Sequence, residues 1–253
     1  MLEEEWFNGG RTKMYKVSLM AGELKKFVKL LTEMTNEAKI ELLSDAMHAR
    51  LVDDANAALI DINMNKTAFI EYDVKDATNE DPVVIGVDLV KLSEVIGSAG
   101  KLSEVVLEDI KGKIQISFDG MIFKLPALDP GTMRATPRMP TLPFTVKTSI
   151  DSEFIRVALK GIKIVGGDVV IATEGTVVNF KSASDDGNSF EFPVTVDGSF
   201  EHAESLYAIG YIKTLALFEG EIGVSYGTDI PVVFESVTEN MKVLYMIAPR
   251  ISN

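Results

Sequence analysis

Between Leu125 and Phe144 the chain reads Leu-Pro-Ala-Leu-Asp-Pro-Gly-Thr-Met-Arg-Ala-Thr-Pro-Arg-Met-Pro-Thr-Leu-Pro-Phe, and five of its nine prolines fall there: Pro126, Pro130, Pro137, Pro140 and Pro143. Each proline fixes φ and lacks an N–H donor, so this spacing forbids a helix and blocks a central strand. What remains is an extended strap, or a solvated linker. Leu128, Met133, Met139 and Leu142 give the strap apolar side chains with which to grip a surface. Segments of similar length flank it, which raises the question of whether they are copies.

Residues 1–13 have no periodicity and end near a Gly-Gly pair, so they read as a flexible extension or a cloning remnant. An amphipathic helix follows over residues 22–36, with Leu24, Phe27, Val28, Leu31 and Met34 on one face and Lys25, Lys26 and Lys29 on the other. Strands are expected over 39–43, 47–52, 56–64, 68–74 and 83–87. A shorter helix over 88–97 turns Leu89, Leu92, Val95 and Ile96 inward and Lys91 outward. Strands over 105–108, 114–118 and 121–125 turn at Lys111-Gly112 and Asp119-Gly120.

After the strap the order begins again. A helix over 152–164 carries Phe154, Ile155, Ala158 and Ile162 on its apolar side and Arg156, Lys160 and Lys163 on its polar side, and Gly166-Gly167 ends it. Strands over 168–173 and 176–181 are expected around a turn at Glu174-Gly175, then a strand over 188–196. A second short helix over 206–218 carries Lys213, and strands over 222–226, 231–236 and 241–247 close the half. Residue identity between the halves is slight, yet the order of elements repeats. The chain is thus read as an internal duplication of α+β class, each half placing two helices on antiparallel sheet. The implied divisions are 1–13, 14–125, a connecting strap over 126–143, and 144–253.

Composition removes several classes of activity. With no cysteine there is no disulfide, thiol chemistry or thiolate metal site, which fits an intracellular protein. His48 and His202 lie far apart, so they form no cluster for metal or general-base work; one is read in a hairpin, the other in a connection. No run approaches a membrane-spanning length and no signal peptide opens the chain. Walker, Gly-x-Ser-x-Gly and zinc spacings are missing. Asp53-Asp54 and Asp185-Asp186 read as solvated turns, and Gly166-Gly167 follows a helix as a C-cap would. No enzyme, no metal and no cofactor is expected.

The net charge of −13 argues against a protein that coats nucleic acid by overall basicity. All four expected helices nevertheless put cations on their polar faces: Lys25, Lys26 and Lys29; Lys91; Arg156, Lys160 and Lys163; Lys213. Glu23, Asp88, Asp151, Glu153 and Glu204 gather near helix starts, where the dipole favours them. One solvated helix often uses lysine. Four in a duplicated chain suggest a shared basic surface for a polyanion. The lysine faces hold no interleaved aromatics, which favours phosphate contact without base stacking.

Several stretches then carry a resemblance: Asp229-Ile230-Pro231-Val232-Val233 with Leu244-Tyr245-Met246-Ile247-Ala248-Pro249-Arg250-Ile251, Arg50-Leu51-Val52-Asp53 with Ala57-Ala58-Leu59-Ile60-Asp61, Ile85-Gly86-Val87-Asp88-Leu89, and Phe123-Lys124-Leu125-Pro126-Ala127-Leu128-Asp129. From Met14 onward the chain resembles the proliferating-cell nuclear antigen family of DNA sliding clamps, in an archaeal-like form. The tail Ser252-Asn253, Met246 in place of an aromatic, and the proline-rich strap depart from many relatives.

The resemblance implies that three copies close a homotrimeric ring of processivity-fold halves around double-stranded DNA, with helices lining the hole. The ring would tether a replicative polymerase and other replication and repair proteins without reading sequence. It places a peptide pocket under the strap, lined by Val52, Ala57, Leu59, Leu128, Met133, Pro231, Met246 and Ala248, for polymerase, clamp loader, ligase and nuclease. It also implies a subunit interface of Met121, Ile122 and Phe123 on one edge and Ser189, Phe190 and Phe192 on the next copy. Location would be cytoplasmic at the nucleoid in an archaeon, nuclear in a eukaryote. Two rivals are one subunit of a heterotrimeric clamp and a recruitment scaffold that does not encircle DNA. A phosphate-processing enzyme would need a titratable cluster that the sequence lacks.

Overall fold

The structure, a computed structural model, describes residues 15–250. The leader over 1–13, Met14 and the tail over 251–253 lie outside the described residues. The first half runs β1 (Tyr15–Met20), α1 (Ala21–Thr32), β2 (Glu37–Leu42), β3 (Ala46–Val52), β4 (Ala58–Asn65), β5 (Phe69–Val74), β6 (Val83–Asp88), α2 (Leu89–Gly97), β7 (Glu104–Asp109), β8 (Lys113–Phe118) and β9 (Met121–Pro126). Beyond the strap come β10 (Val146–Asp151), α3 (Ser152–Val165), β11 (Val169–Ala183), β12 (Ser189–Tyr207), α4 (Ile209–Ile212), β13 (Glu221–Tyr226), β14 (Val232–Val237) and β15 (Met241–Ile247). A 3-10 turn over Lys213–Leu217 continues α4.

The two-residue hairpins form where glycine follows a residue able to take a left-handed backbone. Lys111 (φ 53°) with Gly112 (φ 76°) joins β7 to β8, and Asp119 (φ 47°) with Gly120 (φ 78°) joins β8 to β9. Asp88 caps α2 by accepting from the Lys91 N–H, and Asp151 caps α3 by accepting from the Glu153 N–H. Leu24, Phe27, Leu30 and Leu31 of α1 are buried. Each contributes roughly 1.5–3 kcal/mol of transfer free energy on burial.

Sheet order shows how the duplication is built. One five-stranded sheet runs β5-β1-β7-β8-β9; an eight-stranded sheet runs β10-β13-β14-β15-β4-β3-β2-β6; β11 and β12 form a long hairpin. The eight-stranded sheet takes strands from both halves, joined where β15 pairs antiparallel with β4 from Met241↔Met64 to Ile247↔Ala58. The halves therefore share one continuous hydrogen-bond ladder. The helices touch in the order α2, α1, the 3-10 turn after α4, then α3, which makes one layer across both halves.

Four expectations need correction. Glu174-Gly175 is not a turn: Gly175 takes φ 61° inside the continuous strand β11, and the register with β12 shifts on either side of it. Gly175 pairs with Phe200, and the extra residues on either side of that pair belong to β12, so the irregularity is a bulge of β12 that leaves β11 continuous. β12 runs on to Tyr207, so His202 and Glu204 lie in a strand, neither in a connection nor at a helix start. The last helix begins at Ile209, not at 206, because Leu206 and Tyr207 pair with Val170 and Val169. β1 and β10, which precede the long helices, were not anticipated; each is the strand that ties its helix to the sheet.

Candidate functional site: a basic helix layer and a strap-bordered groove

The cations of the helix layer divide into two kinds. Lys25 donates from Nζ to the backbone oxygens of Gly97 (3.2 Å) and Ala99 (2.6 Å), so it closes the C-terminal end of α2. Arg156 donates to the Phe218 carbonyl at 2.9 Å and pairs with Glu153. Lys26 pairs with Glu219 at 2.7 Å, which ties α1 to the loop ahead of β13. Lys91 pairs with Glu94 within α2. Lys29, Lys160 and Lys163 are exposed and carry no ion pair among the described residues, and Lys213 reaches Glu33 only at 4.0 Å. Arg156, Lys160, Lys163 and Lys213 rim a groove of about 620 Å³ between α3 and α4, floored by Leu159, Ile162, Ile209 and Ala216. Cations on an apolar floor offer long side chains a wet end and a dry stem.

The strap is held at three places along its length. First, the Leu128 N–H donates to the Gly86 carbonyl at 2.9 Å, and a Cβ on Gly86 would stand 2.3 Å from the Leu128 oxygen. Only glycine allows that approach. Second, Arg134 donates through Nη1 to the Asp53 carbonyl at 3.1 Å and through Nη2 to Asn56 Oδ1. Third, Met139, Leu142 and Phe144 pack on Leu59, Val233 and Met246, a small apolar cluster separate from the main core.

Asp53 organises the loop beneath. Its carboxylate accepts from the backbone N–H groups of Ala55, Ala57 and Ala58 and from the Tyr211 hydroxyl at 2.6 Å. Burial opposes ionisation there, but the hydrogen bonds outweigh it and hold the acid below its usual range. The same bond pushes the Tyr211 phenol up to about 12. Asp53 is therefore a loop staple that also reaches α4, and not one half of a solvated pair. Asp186, in the hairpin between β11 and β12, accepts from Ser184 and Asn188.

Beside the second and third anchors lies a groove of about 480 Å³, lined by Val52, Ala57, Leu59, Pro231, Met246 and Ala248 together with strap residues Arg134–Pro137, Arg138 and Pro140. Six of the eight residues expected around a strap pocket thus meet. Leu128 and Met133 do not: Leu128 lies on Gly86, and Met133 lines a separate cavity of about 420 Å³ on the β2–β3 side of the strap. The strap bends before it reaches the groove, because its first apolar residues are taken up by the glycine contact. Met246 is only 7% exposed and sits in the strap's own anchor cluster, so substituting it disturbs the strap as well as the groove. Arg134 and Arg138, which sequence reasoning passed over, are the only charged residues lining this groove among the described residues.

The expected interface residues sit on two open sheet edges. β9 ends the five-stranded sheet, with Ile122 65% exposed and Phe123 turned inward against Phe118. Ser189, Phe190 and Phe192 open β12, whose far edge has no partner strand among the described residues. Phe190 and Phe192 stack with centroids 6.4 Å apart, and Phe192 meets Phe154 of α3.

This architecture is a duplicated α+β fold with one helix layer and two open sheet edges. Residues 14–121 match the family described as "Proliferating cell nuclear antigen, N-terminal domain". The chain is 28% identical to the DNA polymerase sliding clamp of Archaeoglobus fulgidus over 93% of this chain and 98% of that protein. It is 26% identical to that of Methanocella arvoryzae over 95% and 100%. The solved structure "C-terminal region of FEN-1 bound to A. fulgidus PCNA" superposes with a TM-score of 0.84 at 25% identity, covering 94% of this chain and 99% of the other. The resemblance to archaeal sliding clamps holds over nearly the whole chain.

Proposed function

We infer that this chain is a DNA sliding clamp: it encircles duplex DNA and tethers a polymerase and other replication and repair proteins to it. The observation that carries the reading is the single helix layer, which gathers exposed Lys29, Lys160, Lys163 and Lys213 in a chain of net charge −13. Sparse phosphate contacts of this kind bind weakly and without sequence preference. Weak contact suits a ring, because topology supplies the retention.

Ring closure rests on the two open edges. Within the chain, β15 pairs with β4 to join the halves. The edge strand β9 would pair in the same antiparallel sense with residues 188–194 of the next copy, burying Met121, Ile122, Phe123, Ser189, Phe190 and Phe192. An unpaired edge invites such addition, and a head-to-tail contact closes when the rotation permits. The strap-bordered groove would seat a short peptide with aromatic and aliphatic anchors from polymerase, clamp loader, ligase or nuclease. The strap itself, over 126–143, is read as the connector between clamp halves over 14–125 and 144–253. The chain performs no chemistry of its own and works at DNA, in the cytoplasm of an archaeal cell.

The test is retention on DNA. Loaded by a clamp loader onto a nicked circular plasmid, the protein should co-elute with the circle on gel filtration and be lost once the plasmid is linearised. Retention that survives linearisation would overturn the reading, as would none with the loader present. Retention only with a second, different subunit would favour a heterotrimer.

A further inference from the structure

We propose that the strap-bordered groove selects peptides carrying carboxylates beside their apolar anchors, with Arg138 and Arg134 as the specificity-determining residues. The inference rests on the groove's being a docking site. Its lining is Val52, Ala57, Leu59, Pro231, Met246 and Ala248 with small, uncharged strap residues, and among the described residues the two strap arginines supply its only charge. Their sign opposes that of the molecule, which is acidic overall at −13.

Both guanidinium charges are available. Arg134 spends its hydrogen bonds on the Asp53 carbonyl and on Asn56 Oδ1, which are uncharged acceptors that fix its position without neutralising it. Arg138 is exposed and forms no ion pair among the described residues. The strap's one acid, Asp129, turns away: its Oδ1 accepts from the Gly131 N–H at 2.8 Å. Strap residues Arg134–Pro137 also border the cavity on the β2–β3 side, where Lys39 and Arg50 stand with Glu37 and Asp54. Arg50 is paired with Asp61 at 2.7 Å. Charge there is mixed, so the carboxylate preference belongs to the groove side of the strap.

A fixed guanidinium pairs with a carboxylate in two parallel hydrogen bonds, which gives direction as well as attraction. A peptide with lysines in the same place would meet like charge beside an apolar groove, and that repulsion discriminates as strongly as the attraction.

Two synthetic peptides test it, each with the same aliphatic and two aromatic anchors, one flanked by three glutamates and the other by three lysines. By fluorescence anisotropy at low salt, the glutamate peptide should bind roughly tenfold more tightly, the sum of two exposed ion pairs and the matching repulsion. The ratio should shrink at about 0.5 M salt, where the screening length falls to roughly 4 Å. Arg138→Glu should reduce or invert the preference while leaving the thermal midpoint unchanged, since Arg138 is exposed and forms no ion pair among the described residues. Ala57→Trp, which fills the groove, should weaken both peptides alike. Equal binding of the two peptides, or a preference untouched by Arg138→Glu, would overturn the proposal and leave the docking groove standing. Binding of both peptides undiminished by Ala57→Trp, or of neither peptide to the wild type, would sink the groove and this proposal with it.

Discussion

His48 sits between two acids. Its Nδ1 lies 2.9 Å from Glu41 and its Nε2 2.7 Å from Asp61, while Arg50 holds the other Asp61 oxygen. Two carboxylates facing both ring nitrogens require both to donate, so the ring is a cation. Burial opposes that charge, but the bonds to Asp61 and Glu41 prevail and raise the pKa to about 9. A group raised in the folded state stabilises fully below its unfolded pKa and loses that contribution as pH rises through the folded value. The effect is up to about 3 kcal/mol for a shift of this size. Replacing His48 by Gln should therefore lower the thermal midpoint clearly at pH 6.5, and the gap to the wild type should narrow by pH 9.5. A gap constant across that range would mean that the ring is uncharged. The sequence located His48 in a hairpin but hid its partners, because Glu41 and Asp61 come from strands on either side of β3.

At the scale of the element, apolar periodicity located α1, α2 and α3 and most short strands, since one face of each is committed to the core. It failed where local grammar and tertiary pairing disagree. Glu174-Gly175 has the composition of a turn, yet β12 pairs on both sides of it and keeps the strand running. The run from Leu206 to Phe218 looked like one helix, although its first two residues belong to the ladder of β11 and β12. Six of the groove's lining residues were legible from the family motifs; Leu128 and Met133 were misplaced because sequence cannot show where a strap bends. Helix faces likewise do not reveal which lysines are already engaged. Lys25 caps α2, whereas Lys160 and Lys163 are exposed on α3 with no ion pair among the described residues. Lys160→Glu with Lys163→Glu should weaken retention on DNA at every sequence, with a flatter salt dependence and an unchanged thermal midpoint. Lys25→Glu should lower that midpoint by removing charge-assisted bonds worth roughly 1.5–3 kcal/mol each at most, less for their partial exposure. If Lys25→Glu were thermally silent, its bonds to Gly97 and Ala99 would not be structural.

The whole molecule is a ladder with two ends left open. β15 and β4 join the halves inside one chain, and β9 and the start of β12 present the corresponding edges outward. Side chains alternate along a strand, so a correct pairing sets inward residues opposite inward ones and outward opposite outward. On β9, Phe123 and Leu125 pack against the core while Ile122 and Lys124 point away; on β12, Phe190 and Phe192 pack inward while Ser189 and Glu191 are exposed. An antiparallel contact between copies then brings Ile122 opposite an outward residue of β12, such as Ser189, Glu191 or Pro193. The chain has no cysteine, so introduced thiols report alone. Ile122→Cys combined with Glu191→Cys should give covalent dimers and trimers with a short bis-maleimide, resolved on a denaturing gel. Met121→Cys with Glu191→Cys sets thiols on opposite faces and should cross-link far less. Equal yields from the two pairs would rule out this edge as the junction. If the Ile122→Cys, Glu191→Cys chain is trimeric by light scattering yet never cross-links, Ile122 does not face Glu191, and the ring closes in another register or through other strands.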